Sequence, residues 1–423
     1  MHDPPLAELI STHSPITREQ WRTLAAAHVG YMLDAADVFL YVFALNRIRA
    51  EFGLTNAQAG LVATITLLAA AAGGIAGGAL TDRLGRTRML VYTIMVYSVG
   101  SAGTALSSGL ASLVFWRAVV GLGLGGEWAA GAVLVSETWP AKHRAKAIGW
   151  MQSGWAVGYL LAAAASALIL PRYGWRWLFV VGFLPAIAAV LIRRGVREPD
   201  VWRQRTPAST HAGFGRIFRP PLARTTLRAT ALTTVVLFAY WGLFTWLPGF
   251  LSAPVSAGGA GLSLLQGSTW MIPTQIGAFF GYISFGWLAD RLGRRPAFAL
   301  YVVVAAMLTP LYGATRSENL IFAIGPFIGF FGTGFFSLFG VMLAELYPTA
   351  VRASGQGFTY STGRGLGAMA PYVVGALADR YGLGASLAIN SAFFLFGALL
   401  IWSLPETGGV ELDAGTFRST TGS

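Results

Sequence analysis

The chain of 423 residues is 55% hydrophobic and only 11% charged, contains no cysteine, and carries a formal net charge of +12. Soluble domains average about 25% charged residues, so the soluble globular class is excluded, and so are disulfides. The basic excess raises nucleic acid as a partner, a question settled by where along the chain the Lys and Arg residues fall.

Residues 1–20 are polar, carry Asp3, Glu8 and Glu19, and lack a basic n-region or a cleavage pattern, so the first apolar span is expected to direct its own insertion. Apolar stretches of about 20 residues, the length a bilayer requires, then recur along the chain. Twelve spans are predicted, at 22–46, 57–80, 89–107, 110–136, 147–170, 175–194, 229–251, 264–288, 296–314, 319–345, 355–378 and 384–404. Lipid offers no hydrogen bonds to a backbone, so all twelve are expected to be helices. The expected organisation is an all-α polytopic membrane protein. An N-terminal six-helix bundle covers 1–194, an Arg- and Pro-rich cytoplasmic central loop 195–228, and a C-terminal six-helix bundle with a cytoplasmic tail 229–423. With the N-terminus inside, 22 of the 30 Lys and Arg residues fall in inner loops and tails, six in outer loops, and two (Arg117 and Arg364) within spans. This is the positive-inside pattern of a plasma (inner) membrane protein with both termini cytoplasmic. The charge then needs no nucleic acid.

The first span contains "GYMLDAADVFLY" (30–41), with Asp34 and Asp37 near its middle. A carboxylate there costs about 2.5–3.5 kcal/mol on insertion scales, so two of them demand a reason. Spacing i, i+3 puts both on one helix face. Burial disfavours a charged carboxyl and a neighbouring carboxylate disfavours it further, which makes the pair a candidate proton carrier; the alternative is a permanent salt bridge to an arginine. His28 is expected to be a packed neutral histidine. The fourth span reads "RAVVGLGLGGEWAAG" (117–131). Its Gly121, Gly123, Gly125, Gly126 and Gly131 are expected to let the first span approach closely and to bring Glu127, a third proton candidate, to the aspartates. Arg117, nearer the outside, is either structural or a partner of substrate or acid.

Softer cavity candidates follow along the chain: Gln152, Trp155 and Tyr159 in the fifth span, Tyr240 and Trp241 of "FAYWGLFTWLP" (238–248) in the seventh, Trp270 and Gln275 in the eighth, and Tyr360 in the eleventh. Pro248 is expected to kink or end the seventh span. The eleventh span, "GQGFTYSTGRGLGAMAPYVVG" (355–375), places Arg364 near mid-membrane between glycines that leave its head accessible. A guanidinium fork can bind a carboxylate bidentately; the alternative is a static bridge to Asp34, Asp37 or Glu127.

The halves repeat at a constant offset of 208. "GALTDRLGR" (78–86) falls on "GWLADRLGR" (286–294), Glu137, Pro140, Arg144 and Ala145 on Glu345, Pro348, Arg352 and Ala353, and Glu198 on Glu406. Intramembrane charges break the repeat: Asp34 falls on Gly242, Glu127 on Phe335, Arg117 on Gly325 and Arg364 on Ala156. Acid chemistry is therefore expected on the N-terminal wall and anion binding on the C-terminal one.

The motif Gly-x-x-x-Asp-Arg-x-Gly-Arg, present twice, together with twelve spans, resembles the major facilitator superfamily over essentially the whole chain. The resemblance implies two parallel bundles, a substrate site near the midplane between them, and rocker-switch alternating access. It also implies gating by Asp82, Arg83, Arg86, Asp290, Arg291, Arg294, Glu137, Arg144, Glu345 and Arg352, which otherwise only fix topology. The Asp-x-x-Asp of the first span is similar to that of aromatic acid/proton symporters, with Ala35 where those have Gly. "GLGLGGEW" and Arg364 are similar to sialate, lactate and other carboxylate/proton symporters. The expectation is a monomeric proton-coupled importer of an organic monocarboxylate, with Asp34, Asp37 and Glu127 coupling protons. Arg364, Arg117, Tyr240, Trp241, Gln275 and Tyr360 are expected to bind substrate. A proton-driven drug exporter and a non-transporting sensor are the alternatives. No enzyme motif, cofactor or metal site is read from the chain.

Overall fold

The structure, a computed structural model, describes residues 16–54, 56–204, 214–262, 264–410 and 412. Asp3 and Glu8 lie outside them, as does the side chain of Trp270. Apolar side chains leave the backbone only itself to bond with, and the first helix, α1, runs unbroken over Arg18–Phe52. At 1.5 Å per residue its 35 residues span about 50 Å, well beyond a hydrocarbon core of about 30 Å. The next four spans are single helices: α2 (Asn56–Leu84), α3 (Arg86–Ala105), α4 (Leu110–Thr138) and α5 (Ala141–Tyr173). The sixth is broken into α6 (Trp175–Val181) and α7 (Pro185–Gly195), the proline starting a helix where its missing N–H costs nothing.

After the short α8 (Asp200–Arg203), the second half opens with α9 (Leu222–Ser252). This helix begins seven residues earlier than the sequence predicts and runs on through Pro248. The helix does not end at Pro248 but four residues beyond it, where the proline removes one backbone bond close to the helix terminus. Then come α10 (Leu264–Leu292), α11 (Arg294–Ala314), α12 (Glu318–Gly334) with α13 (Phe336–Leu346), α14 (Arg352–Gly367) with α15 (Ala370–Tyr381), and α16 (Leu383–Leu387) with α17 (Ile389–Leu400). Among the described residues eight stretches are long and apolar enough to cross a membrane by themselves. The third, sixth, eighth and eleventh spans complete twelve, in two six-helix bundles.

The bundles meet along α2 with α14 and α5 with α10, where small residues let backbones touch. A Cβ on Gly357 would meet the carbonyl oxygen of Gly74 at 2.6 Å, and one on Gly149 that of Tyr282 at 2.5 Å. At one face this seam is closed by a buried charge network. Arg86 gives Nε to Glu137 at 2.8 Å, and Arg352, from the other half, binds the same carboxylate. The repeat-related set does likewise: Arg294 binds Glu345 at 3.1 Å and Arg144 crosses over to it at 2.8 Å. Asp82 accepts the amides of Ala353 and Ser354 at the start of α14, at 3.1 and 2.7 Å, while Asp290 accepts that of Lys146 in α5 at 3.2 Å. Arg83 and Arg291 of the same loops point outwards, Arg291 lying over the Trp287 ring.

Each loop depends on a glycine and a carboxylate. Gly85 and Gly293 have φ of +114° and +98°. The carboxylate of Glu198 accepts the amides of Arg86, Thr87 and Arg88, and Glu406 those of Arg294 and Arg295, so each caps a helix N-terminus. Burial pushes the Glu406 carboxyl up, but its backbone N–H donors outweigh that and hold it below the usual carboxylate range. A Cβ on Gly85 would meet Glu198 Oε1 at 2.5 Å. Gly85→Ala should therefore lose the cap and strain the backbone together, costing about 1–3 kcal/mol. A fall in the melting temperature of the detergent-purified protein measures this; an unchanged value would show that the turn carries no strain.

Candidate functional site

Between the halves, on the far side of the network, lies a cavity of about 310 Å³. Its N-terminal wall includes Asp34, Arg117 and Trp128, and its C-terminal wall Tyr240, Trp241 and Arg364. Val42, which also lines it, is 54% exposed, so the cavity opens towards the face opposite the network. The seam contacts and network described above lie on the other side, towards the ends of α2, α4 and α14 that carry Asp82, Glu137 and Arg352.

The two aspartates of α1 have different surroundings. Three residues are 300° of helix, which leaves Asp34 facing the cavity and turns Asp37 into the bundle. There Arg117 Nη1 binds Asp37 Oδ2 at 3.0 Å and Ser101 Oγ donates to Oδ1. The arginine also lies 4.8 Å from the centre of the Tyr41 ring. Asp34 and Glu127 face one another instead, both buried and within reach of a side-chain hydrogen bond that needs a proton on one of them, and among the described residues neither is bound by an arginine. Their meeting depends on Gly30, one turn before Asp34, where a Cβ would stand 2.5 Å from Glu127 Oε1.

The glycine ladder of α4 does not serve the approach that the sequence predicts. Gly121 and Gly125 lie against the α2 backbone at Thr66 and Ala70, and Gly123 against Thr93 and Tyr97 of α3. Only Gly131 has α1 nearby, at Ala27. Successive glycines on a helix point 100° apart, so the ladder serves several neighbours rather than one.

Across the cavity, Nε and Nη2 of Arg364 are buried without hydrogen-bond partners, and among the described residues Arg364 forms no ion pair. The expected alternative of a static bridge from it to an acid of the other half is not found. The indole N–H of Trp241 is likewise buried and unpartnered. Tyr360, one turn before Arg364, has its ring centre 5.7 Å from the guanidinium. Gln275 is buried away from the cavity lining. His28 donates from Nδ1 to the Trp150 carbonyl at 2.7 Å, a packing contact between α1 and α5. Sequence reasoning gave no role to Trp128, Tyr31 or Tyr282, which also line the cavity, because aromatic residues are ordinary in lipid spans.

Residues 27–308 match the sequence profile of the Major Facilitator Superfamily, and 300–415 that of the "Sugar (and other) transporter" family. The chain belongs to the major facilitator superfamily. It is a transporter, not an enzyme. It is 34% identical over 409 residues to a "Probable 4-methylmuconolactone transporter" of Cupriavidus pinatubonensis, covering 93% of this chain and 92% of that one. It is 32% identical over 382 residues to a cis,cis-muconate transport protein of Acinetobacter baylyi, covering 88% and 91%. The structure of a proton:xylose symporter superposes with a TM-score of 0.76 at 18% identity, over 93% of this chain and 98% of that one, which shows the shared fold.

The separation of the aspartates yields a test. Asp37→Asn leaves Arg117 charged and uncompensated in the bundle, which should cost about 3–5 kcal/mol of stability. Asp34→Asn removes a carboxylate that holds no arginine and should leave stability nearly unchanged. Thermal unfolding of the two variants side by side checks this, and equal losses would contradict the assignment.

Proposed function

We propose that this transporter imports an organic monocarboxylate together with protons by rocking its halves about the central cavity. The observation that carries the reading is the guanidinium of Arg364, whose Nε and Nη2 have no hydrogen-bond partner, facing across one cavity the carboxyl of Asp34, with Glu127 against that aspartate. The Lys and Arg count makes the closed face cytoplasmic and the open one external, in a cell inner membrane. A carboxylate entering from outside meets a planar fork with free donors and is held bidentately. A bound anion on Arg364 and protons on both Asp34 and Glu127 together leave the interior without uncompensated charge, which favours the passage of the loaded carrier through the low-dielectric closed form. Opening inwards breaks the contacts that Asp82, Glu137, Asp290 and Glu345 make across the seam, and these residues, with their arginines, act as the gate. Asp37 and Arg117 hold the scaffold beside the acid pair. Trp241 and Tyr240 supply the apolar wall, with the Trp241 N–H as a further donor. The names of the relatives put unsaturated carboxylates and lactones in the substrate panel, beside lactate- and sugar-acid-type anions.

Uptake into proteoliposomes under an imposed pH gradient tests the class. Arg364→Lys keeps the charge but not the fork, and should lower the apparent affinity for the transported anion by about tenfold or more. Near-normal affinity in Arg364→Ala would refute anion binding there.

The proton side has its own signature. In Asp34→Asn or Glu127→Gln the essential member is locked in a form that resembles the protonated one. Exchange of labelled for unlabelled substrate should then continue, because it needs only the loaded carrier to rock. Accumulation against a gradient should fail, because no proton is released inside. Gradient-driven accumulation that persists in both variants would rule out proton coupling by this pair.

A further inference from the structure

Below the cavity the halves are joined by one more contact, which lies between the acid pair and the anion site. Trp128, the residue after Glu127, stacks on Tyr360, one turn from Arg364, with ring centres 3.8 Å apart and planes 22° apart. Both rings line the cavity yet are nearly fully buried. Successive helix residues point 100° apart, so α4 turns Glu127 to α1 and Trp128 to the other half. The indole N–H of Trp128 donates to Gln152 Oε1 at 3.1 Å, and Gln152 Nε2 donates to the carbonyl of Phe336 at 3.3 Å.

These four residues are two repeat pairs: at the offset of 208, Trp128 falls on Phe336 and Gln152 on Tyr360. The fold therefore brings the same two positions of each half to the pseudo-twofold axis under the cavity. The two crossings differ in chemistry. One is a buried aromatic stack, and the other is a single amide bonded to a backbone carbonyl. Towards the closed face from this floor, Ser136 donates to the Gly340 carbonyl at 3.2 Å, and Glu137 follows with its arginines. The stack lies between the cavity and the contacts that close that face.

We propose that the Trp128–Tyr360 stack, with Gln152 positioning the indole, is the inner gate of the carrier and joins the acid pair to the anion site. The proposal deepens the rocking, proton-coupled reading given above. Trp128 shares its backbone with Glu127, and Tyr360 faces the guanidinium that takes the anion. Charge neutralised on both sides of the stack thus acts on the two residues whose separation opens the floor. An apolar stack also denies water, and with it protons, a path between Asp34 and the network while the cavity faces outwards.

The chain has no cysteine, so a single Ser136→Cys reports the space just beneath the floor. A thiol reagent supplied from the open face should reach it about tenfold faster in Trp128→Ala, and in Tyr360→Leu, which removes the same stack from the other side; a buried aromatic pair accounts for a shift of that order. Trp128→Phe keeps a ring there and should label near the parent rate. In proteoliposomes, Trp128→Ala should also admit protons without substrate, again about tenfold above the parent. Parental labelling and parental tightness to protons in both Trp128→Ala and Tyr360→Leu would overturn the gate. Failure of the coupling reading is distinguishable from this: the parent itself would then take up no protons with substrate, while the labelling comparison would still report on the stack.

Discussion

Glu137 and Glu345 each hold two arginines, one from their own half and one from the other. Arg86 and Arg294 are the local partners, and Arg352 and Arg144 cross the seam in opposite directions. All six side chains are buried to within a few per cent, so every charge is desolvated and must be matched in place. The exchange is reciprocal, and the amide contacts of Asp82 and Asp290 obey the same symmetry. This arrangement fixes which face is closed and leaves the cavity open at the other. A rocking carrier needs contacts strong enough to hold one state and confined to it, because a contact present in both states biases neither.

Inside the halves the same rule, that charge in a dry bundle must find a partner, sorts the remaining ionisable groups. Arg117 and Asp37 pair with one another, and Ser101 completes the carboxylate. Asp34, Glu127 and Arg364 form no ion pair among the described residues, and like Arg117 they lie at or beside the cavity. What the scaffold completes has the character of structure, and what it leaves incomplete is open to a ligand or a proton. The incomplete groups also fall where the two halves differ in sequence.

Much of this was legible before any coordinates. Twelve apolar stretches, the offset of 208 and the intramembrane charges gave the bundle pair and the positions at its centre, because lipid penalises unpaired polar groups so heavily that each survivor is conspicuous. Other features were not. The i, i+3 spacing of Asp34 and Asp37 puts them on one face but does not say that 60° separates a cavity from a bundle interior. The glycines of α4 announce close approach without naming the neighbour, and the structure gives most of them to α2 and α3. Pro248 sits in a last turn, a position that residue type alone does not reveal. Trp128 was silent because an aromatic residue in an apolar run has no sequence signal that separates a gate from packing.

The crossing arginines also bear on how the molecule is made. Synthesis runs from the N-terminus, and Glu137 and Asp82 enter the membrane with one arginine of their own network, Arg86, within reach. The second cation for Glu137 is residue 352, and the amides that complete Asp82 belong to residues 353 and 354. Until the eleventh span arrives, the first bundle holds an under-compensated acidic site at the end that carries the network, and Arg144 waits for a carboxylate at residue 345. The two bundles are thus mutual assembly factors: each is delivered to the bilayer electrostatically unfinished, and the docking of one completes the other.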